Sequence, residues 1–459
     1  MVFSSMLFLF IFLPALLIIY FIVPQDWRWL RNLVLLIFSL IFYASNEPVN
    51  ILVMLASIMA NYVLGLCVEY ARHKKPFVAL AVIANLSVLI YFKYTVFICD
   101  NLSHFFNLNL NIEEIIMPVG ISFFTFQAMS YVFDIYYGST KAQKNPLDVM
   151  LYISLFPQLV AGPIVRYQTV ADEIDDRWEN TEEIAQGMQT FIIGLAKKLL
   201  IANRVGIIAD AAFAEHNINF AFAWLGIAAY TLQIYFDFSA YSDMAIGLGR
   251  IFGFHFPENF NYPYISKSVT EFWRRWHISL SVWFRDYLYI PLGGNRCAKW
   301  KHLRNIMIVW LATGIWHGAS WNFVVWGLYY GIILIIEKEF LSGLIKKLPS
   351  VLCHIYTMLI VLIGFVFFRA DTLTDALVYL RAMFTFEPIT MGASNELQFL
   401  LNNAAVLVIA LIGCTPVKNI AERLPLKAPL KFIYCMALFL MSVMYLTSST
   451  FNPFIYFRF

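Results

Sequence analysis

Charge is what this 459-residue chain has least of: 13% of its residues are Asp, Glu, Lys or Arg, against 61% hydrophobic. A soluble domain carries about 25% charged residues, so that class is excluded. Cysteine is scarce as well. Cys67, Cys99, Cys297, Cys353, Cys414 and Cys435 stand singly, with no CxxC and no Cys/His spacing that would build a zinc site. Neither a disulfide framework nor a metal is expected. Gly247-Leu248-Gly249 with Gly253 lacks the spacing and βαβ setting of a dinucleotide fingerprint, and close helix packing explains it better. There is no phosphate-cradling loop, no visible internal repeat and no nucleic-acid signature.

Long apolar runs are what the chain does have. They lie near residues 6–23, 30–45, 49–67, 77–92, 147–164, 187–212, 219–238, 303–316, 321–340, 352–368, 397–413 and 431–447. They predict an all-α polytopic membrane protein with about eleven crossings. Several runs are short or broken by Gly and Pro, as re-entrant pieces buried in protein are. One integral domain over 1–459 is therefore expected. The first run has no basic n-region and no small-residue cleavage site, so it reads as a retained helix.

Lys and Arg set the expected orientation, because basic loops stay cytoplasmic. Arg28, Arg31, Arg72, Lys74 and Lys75 mark inner loops, whereas the loops holding Glu47 and Asp100, Glu113 and Glu114 face outward with the N-terminus. The strongly basic 267–304 segment and Lys346-Lys347 lie inside, so 303–340 must leave and return, with His317 near its turn. A leg of about 14 residues reaches only ~21 Å, short of a ~30 Å crossing, and leaves His317 within the membrane's thickness. Continuing the count places the tail, 448–459, outside.

An ionisable residue at membrane depth is a functional candidate, and His317 in Trp316-His317-Gly318 is flanked by apolar sequence on both sides. In Thr270–Asn295, Trp273, Trp276 and Tyr287 alternate with Arg274, Arg275 and Arg285, and His277 follows. That pattern suits an interfacial helix with aromatics at headgroup level, and equally a platform offering positive charge to a phosphorylated coenzyme. Gln127, Tyr131 and Asp134 share one helical face, and Tyr235, Asp237, Ser239, Tyr241, Ser242 and Asp243 crowd another. Such groups either form hydrogen-bonded structural pairs or line a wet cavity.

Ordered motifs over nearly the whole chain resemble the membrane-bound O-acyltransferases, in particular the bacterial alginate and peptidoglycan O-acetyltransferase type. They are Met1-Val2-Phe3-Ser4-Ser5, Val119-Gly120-Ile121-Ser122-Phe123-Phe124-Thr125-Phe126-Gln127, Val160-Ala161-Gly162-Pro163-Ile164 and Asp237-Phe238-Ser239-Ala240-Tyr241-Ser242-Asp243. Phe272-Trp273-Arg274-Arg275-Trp276-His277, Tyr289-Ile290-Pro291-Leu292-Gly293-Gly294-Asn295 and Gly314-Ile315-Trp316-His317-Gly318 follow.

The resemblance implies a central tunnel with His317 and His277 as catalytic residues. Gln127, Tyr131, Asp237, Ser239, Asp243, Trp316 and Asn322 are expected to line it, and Arg274, Arg275, Trp276 and Arg285 to meet acetyl-CoA as donor. The ending Phe454-Ile455-Tyr456-Phe457-Arg458-Phe459 resembles a motif of cell-surface acylation systems in which a terminal tyrosine carries the acyl group, making Tyr456 a third candidate. The residues alone also allow an aromatic tail anchored at the interface. The implied setting is the bacterial inner membrane, with lipids around the chain, an extracytoplasmic acetyltransferase as partner and an envelope glycan as final acceptor. Peptidoglycan is the first choice and alginate or another exopolysaccharide the second. A polytopic transporter is the competing class, since broken helices and midplane polar residues suit it too.

Overall fold

The computed structural model describes the chain except residues 109, 111, 114, 216–217, 387–392, 418–427, 449–453 and 456–459. All regular structure among the described residues is helical. Among the described residues, four helical segments are long and apolar enough to cross a bilayer: Ile51–Tyr70, Lys75–Phe106, Ser350–Arg369 and Pro429–Ser448. Phe8–Ile22 and Leu400–Gly413 are shorter apolar helices. Of the other anticipated crossings, 147–164 folds as short pieces, Pro146–Ser154 followed after a break at Leu155 by Phe156–Leu159, whereas 219–238 corresponds to the first part of the long helix Phe220–Ile251. The chain divides into two compact units, each drawn from separate segments: Met1–Phe191 with Tyr241–Glu258, and Ile192–Ala240 with Asn259–Phe459.

In the first unit, helix Ile121–Tyr137 is buried on nearly every face, Gln127, Tyr131 and Asp134 included. Such a helix belongs in a protein interior. Its polar groups are partly consumed by structure: Asp134 Oδ2 accepts from Gln168 N at 3.0 Å, and Tyr131 Oη accepts from Gln143 N at 3.2 Å. Asn61 and Asn85 exchange amide hydrogen bonds of 3.1 and 2.7 Å between two apolar helices. That reciprocal pair satisfies polar groups that lipid would not.

One carboxylate organises the edge of this unit. Glu179 accepts from Arg28 Nη1 at 2.6 Å, from Arg31 Nη1 at 2.8 Å and from the Tyr20 hydroxyl, with Arg177 Nε at 3.7 Å. Arg177 also donates to Phe252 O at 2.8 Å, and Arg31 Nη2 to Val23 O at 2.8 Å. The arginines assigned to an inner loop thus form a buried cluster. Removing one partner of a buried charge cluster costs about 3–5 kcal/mol, because the remaining charge cannot rehydrate. Glu179→Ala should lower stability on that scale, read as a fall in the thermal midpoint of detergent-solubilised protein. An unchanged midpoint would contradict this account.

The second unit holds the anticipated hairpin: Lys299–His317, a short turn, and Trp321–Ile336. Its first leg has 19 residues and starts earlier than the apolar run suggested, because Lys299, Lys301 and Arg304 belong to it. The two legs touch backbone to backbone. A Cβ on Gly314 would stand 2.3 Å from Phe323 O, and one on Gly327 2.5 Å from Trp310 O. Only glycine allows so close a crossing. The 267–304 segment is a chain of short pieces, Val269–Arg275, Ile278–Phe284 and a π-helical turn Arg285–Tyr289. Buried Glu337 serves the first piece, accepting from Val269 N at 2.7 Å and Thr270 N at 2.9 Å, two amides that a helix start leaves without partners.

Candidate active site

His317 ends the first leg of the hairpin and is 5% exposed. Four aromatic rings surround its imidazole: Trp316 at 5.0 Å, Trp326 at 5.1 Å and Phe368 at 5.1 Å, all steeply inclined, and Phe323 at 6.3 Å, nearly parallel. Phe323 and Trp326 come from the second leg and Phe368 from helix Ser350–Arg369. Behind Trp326, the rings of Trp273 and Tyr330 lie 5.6 and 5.2 Å from it. Trp273 Nε1, Trp326 Nε1 and the Tyr330 hydroxyl are buried donors without an acceptor among the described residues. A burial cost of this kind is expected where a polar ligand completes a site.

His277 lies on the other side of Trp316, with ring centroids 6.2 Å apart. It is 2% exposed and stands edge-on to Phe238 at 4.7 Å. Its backbone adopts φ 44°, ψ 54°, a left-handed conformation that side chains seldom take, at the break between Val269–Arg275 and Ile278–Phe284. His277 lies outside the four crossing helices, and burial pulls its imidazole down to about 3. It is therefore neutral at physiological pH. Its Nδ1 lies 3.1 Å from Asn259 Oδ1. The sequence reading passed over Asn259, whose only signal was a polar residue before the aromatic stretch Phe260–Tyr264.

The remaining candidates divide among several roles. Trp276 is packed among Phe272, Phe260, Phe365 and Tyr264, in the interior of the unit and not at its surface. Arg274 is exposed, Arg275 pairs with Glu271 at 2.9 Å and donates to Asn261 O, and Arg285 pairs with Asp286 at 2.6 Å. Asn322 donates to Ala370 O at 2.7 Å, which ties the hairpin turn to the end of helix Ser350–Arg369. Ser239 is buried. Asp237 forms a buried ion pair with Lys198, a residue the sequence reading missed, and its Oδ2 accepts from Ile455 N at 2.7 Å. The Phe454 ring lies 4.5 Å from Lys198 Nζ. Gln127, Tyr131 and Asp243 belong to the first unit, where both amide atoms of buried Gln127 lack a partner among the described residues. Tyr456 lies outside the described residues.

An imidazole inside an aromatic enclosure can, in its neutral form, accept a proton from a hydroxyl while bulk water is kept away. Residues 143–368, which contain both histidines, match the membrane-bound O-acyltransferase family. Over 422 residues the chain is 42% identical to a probable alginate O-acetylase AlgI of Azotobacter vinelandii, covering 90% of this chain and 84% of that protein. It is 36% identical over 439 residues to a peptidoglycan O-acetyltransferase of Helicobacter pylori, covering 88% and 83%. A teichoic acid D-alanyltransferase of Bacillus subtilis is 31% identical over 277 residues, covering 56% and 69%. The chain belongs to the membrane-bound O-acyltransferase family. It is a membrane-bound acyltransferase, and the transporter alternative falls with that membership.

The aromatic enclosure generates a steric prediction. Gly318 has φ −170°, open to any residue, but a Cβ there would stand 2.2 Å from the Phe323 ring. Gly318→Ala must displace Phe323 from His317, an overpacking cost of about 1–3 kcal/mol. Acyl transfer should fall and the thermal midpoint drop. Adding Phe323→Leu should restore part of both, and a double variant no better than the single one would count against the clash.

Proposed function

We propose that the protein is a bacterial inner-membrane O-acetyltransferase that takes acetyl from cytoplasmic acetyl-CoA and passes it outward for O-acetylation of an extracytoplasmic glycan. The observation that carries this reading is the pair of buried histidines flanking Trp316, one of them enclosed by four aromatic rings. His317 serves as general base. As the acceptor oxygen attacks the thioester carbonyl, the imidazole takes the hydroxyl proton, the C–O ester bond forms and the C–S bond breaks. The proton then passes to the departing coenzyme thiolate. Exposed Arg274 is the first contact for the coenzyme's phosphates, and Arg275 and Arg285 add to the local positive charge.

Tyr456 is the first acceptor in this scheme, its phenol carrying acetyl as an ester until a separate extracytoplasmic transferase takes it. Support comes from the two residues just before it: Ile455 N is bonded to Asp237 and Phe454 packs on Lys198. Both termini are taken as extracytoplasmic. For the final acceptor, the identity to the Azotobacter alginate relative over 90% of the chain favours an alginate-type exopolysaccharide. Peptidoglycan, the first choice from sequence, becomes the second, on the 36% relative.

His317→Ala should abolish transfer from labelled acetyl-CoA, a loss of roughly 10²–10⁴-fold for a general base, while the protein still inserts and accumulates. Wild-type turnover in that variant would sink the role. Tyr456→Phe keeps the ring but cannot form an ester, so transfer to the glycan should stop with coenzyme binding intact. Mass spectrometry of the C-terminal peptide should find an acetyl adduct in wild type and none in Tyr456→Phe or His317→Ala. Normal glycan acetylation by Tyr456→Phe would reduce the tail to an anchor.

A further inference from the structure

Asn259 is 1% exposed and gathers several donors on one side-chain atom. Ser279 N lies 3.2 Å from it, Ser279 Oγ 2.9 Å and His277 Nδ1 3.1 Å. A backbone N–H can only donate, so the shared atom is the amide oxygen and not the nitrogen. An amide oxygen carries no proton. For His277 Nδ1 to bond to it, Nδ1 must carry the hydrogen. In a neutral imidazole the other nitrogen, Nε2, then holds the lone pair.

The same residue also holds the backbone that presents the ring. Ile278 N donates to the main-chain oxygen of Asn259 at 3.0 Å, so its two carbonyls hold the backbone immediately after the left-handed His277, at Ile278 and Ser279. Phe238, perpendicular to the imidazole at 4.7 Å, and Trp316 at 6.2 Å pack on the ring. A 180° flip would bring a ring carbon to the amide oxygen and forfeit the hydrogen bond in a buried place, where its loss is expensive.

We propose that Asn259 is a positioning residue for acyl transfer: its side-chain carbonyl fixes His277 as the Nδ1–H tautomer and leaves Nε2 as the proton-accepting nitrogen. The functional half of this inference rests on His277 taking part in the reaction beside His317, as the family resemblance implies. The tautomer itself does not. Burial keeps the ring neutral without Asn259; what Asn259 adds is the choice of nitrogen and the aim of the ring.

The direct test is nitrogen-15 NMR of wild-type protein with labelled histidine in lipid nanodiscs, the His277 signals being assigned by their loss in His277→Gln. A protonated Nδ1 and an unprotonated Nε2 are expected, and the reverse pattern overturns the proposal. The functional test follows turnover of labelled acetyl-CoA against pH. Asn259→Asp keeps the acceptor for both Ser279 donors but puts a negative charge beside Nδ1, which favours imidazolium. Its activity should be lost at higher pH than in wild type as the pH falls, a shift of roughly 1–3 units, with activity retained above that limb. Asn259→Leu removes the acceptor and should lower kcat about 10²-fold with KM for acetyl-CoA little changed. Wild-type kcat and pH profile in both variants would leave Asn259 a structural clamp only. The two levels fail separately. Full activity in His277→Gln would remove His277 from the reaction while the NMR result still decides the tautomer, and an Nε2–H signal beside an inactive His277→Gln would sink the role of Asn259 alone. Should Asn259→Asp not fold, the wild-type NMR measurement decides the tautomer.

Discussion

The backbone contact between Gly314 and Gly327 is the constraint on which the site depends. Where two legs of a hairpin cross with no side chain between them, their remaining side chains are forced outward to either side of the contact. On one side that brings Phe323 and Trp326 against His317, and on the other it packs Trp310 edge-on to Trp273, with ring centroids 4.7 Å apart, and tilted against Tyr330 at 5.5 Å. A wider crossing would open gaps between rings that make their contribution only at van der Waals distance. Asn322, bonded to Ala370 O, then draws the end of helix Ser350–Arg369 close enough for Phe368 to complete the enclosure.

Buried charge is handled in a consistent way around this framework. Glu179 is surrounded by arginines, Glu337 by backbone amides, and Asp237 by one lysine and one amide. Each of these carboxylates has its oxygens occupied by donors, which is the condition for keeping an ionised group out of water. The reactive candidates are treated in the opposite manner. His317 is placed among aromatic rings, and His277 is buried with a neutral amide at Nδ1.

Much of the site could be read from residues close together in sequence. His317 is one ionisable group in a long apolar run, and an out-and-back hairpin followed from the basic residues on either side. The pairing of Arg275 with Glu271 is an i,i+4 relation of the kind helices allow. Trp276 was assigned to the coenzyme because an aromatic residue between arginines suits an interface as well as a core, and local pattern does not separate the two. Lys198 with Asp237, 39 positions apart, and His277 with Asn259, 18 apart, had no periodic signature at all.

The sequence by itself determined that this is a helical membrane acyltransferase and which ionisable side chains are candidates for its site, since hydropathy, charge placement and motif order are local properties of the chain. The tertiary structure alone decided which tryptophan is core, which carboxylate receives Lys198 and which nitrogen of His277 bears hydrogen. Those outcomes turn on distances near 3 Å between residues that only the packed fold brings together, and hydrogen bonding at that range depends on direction as much as on residue type.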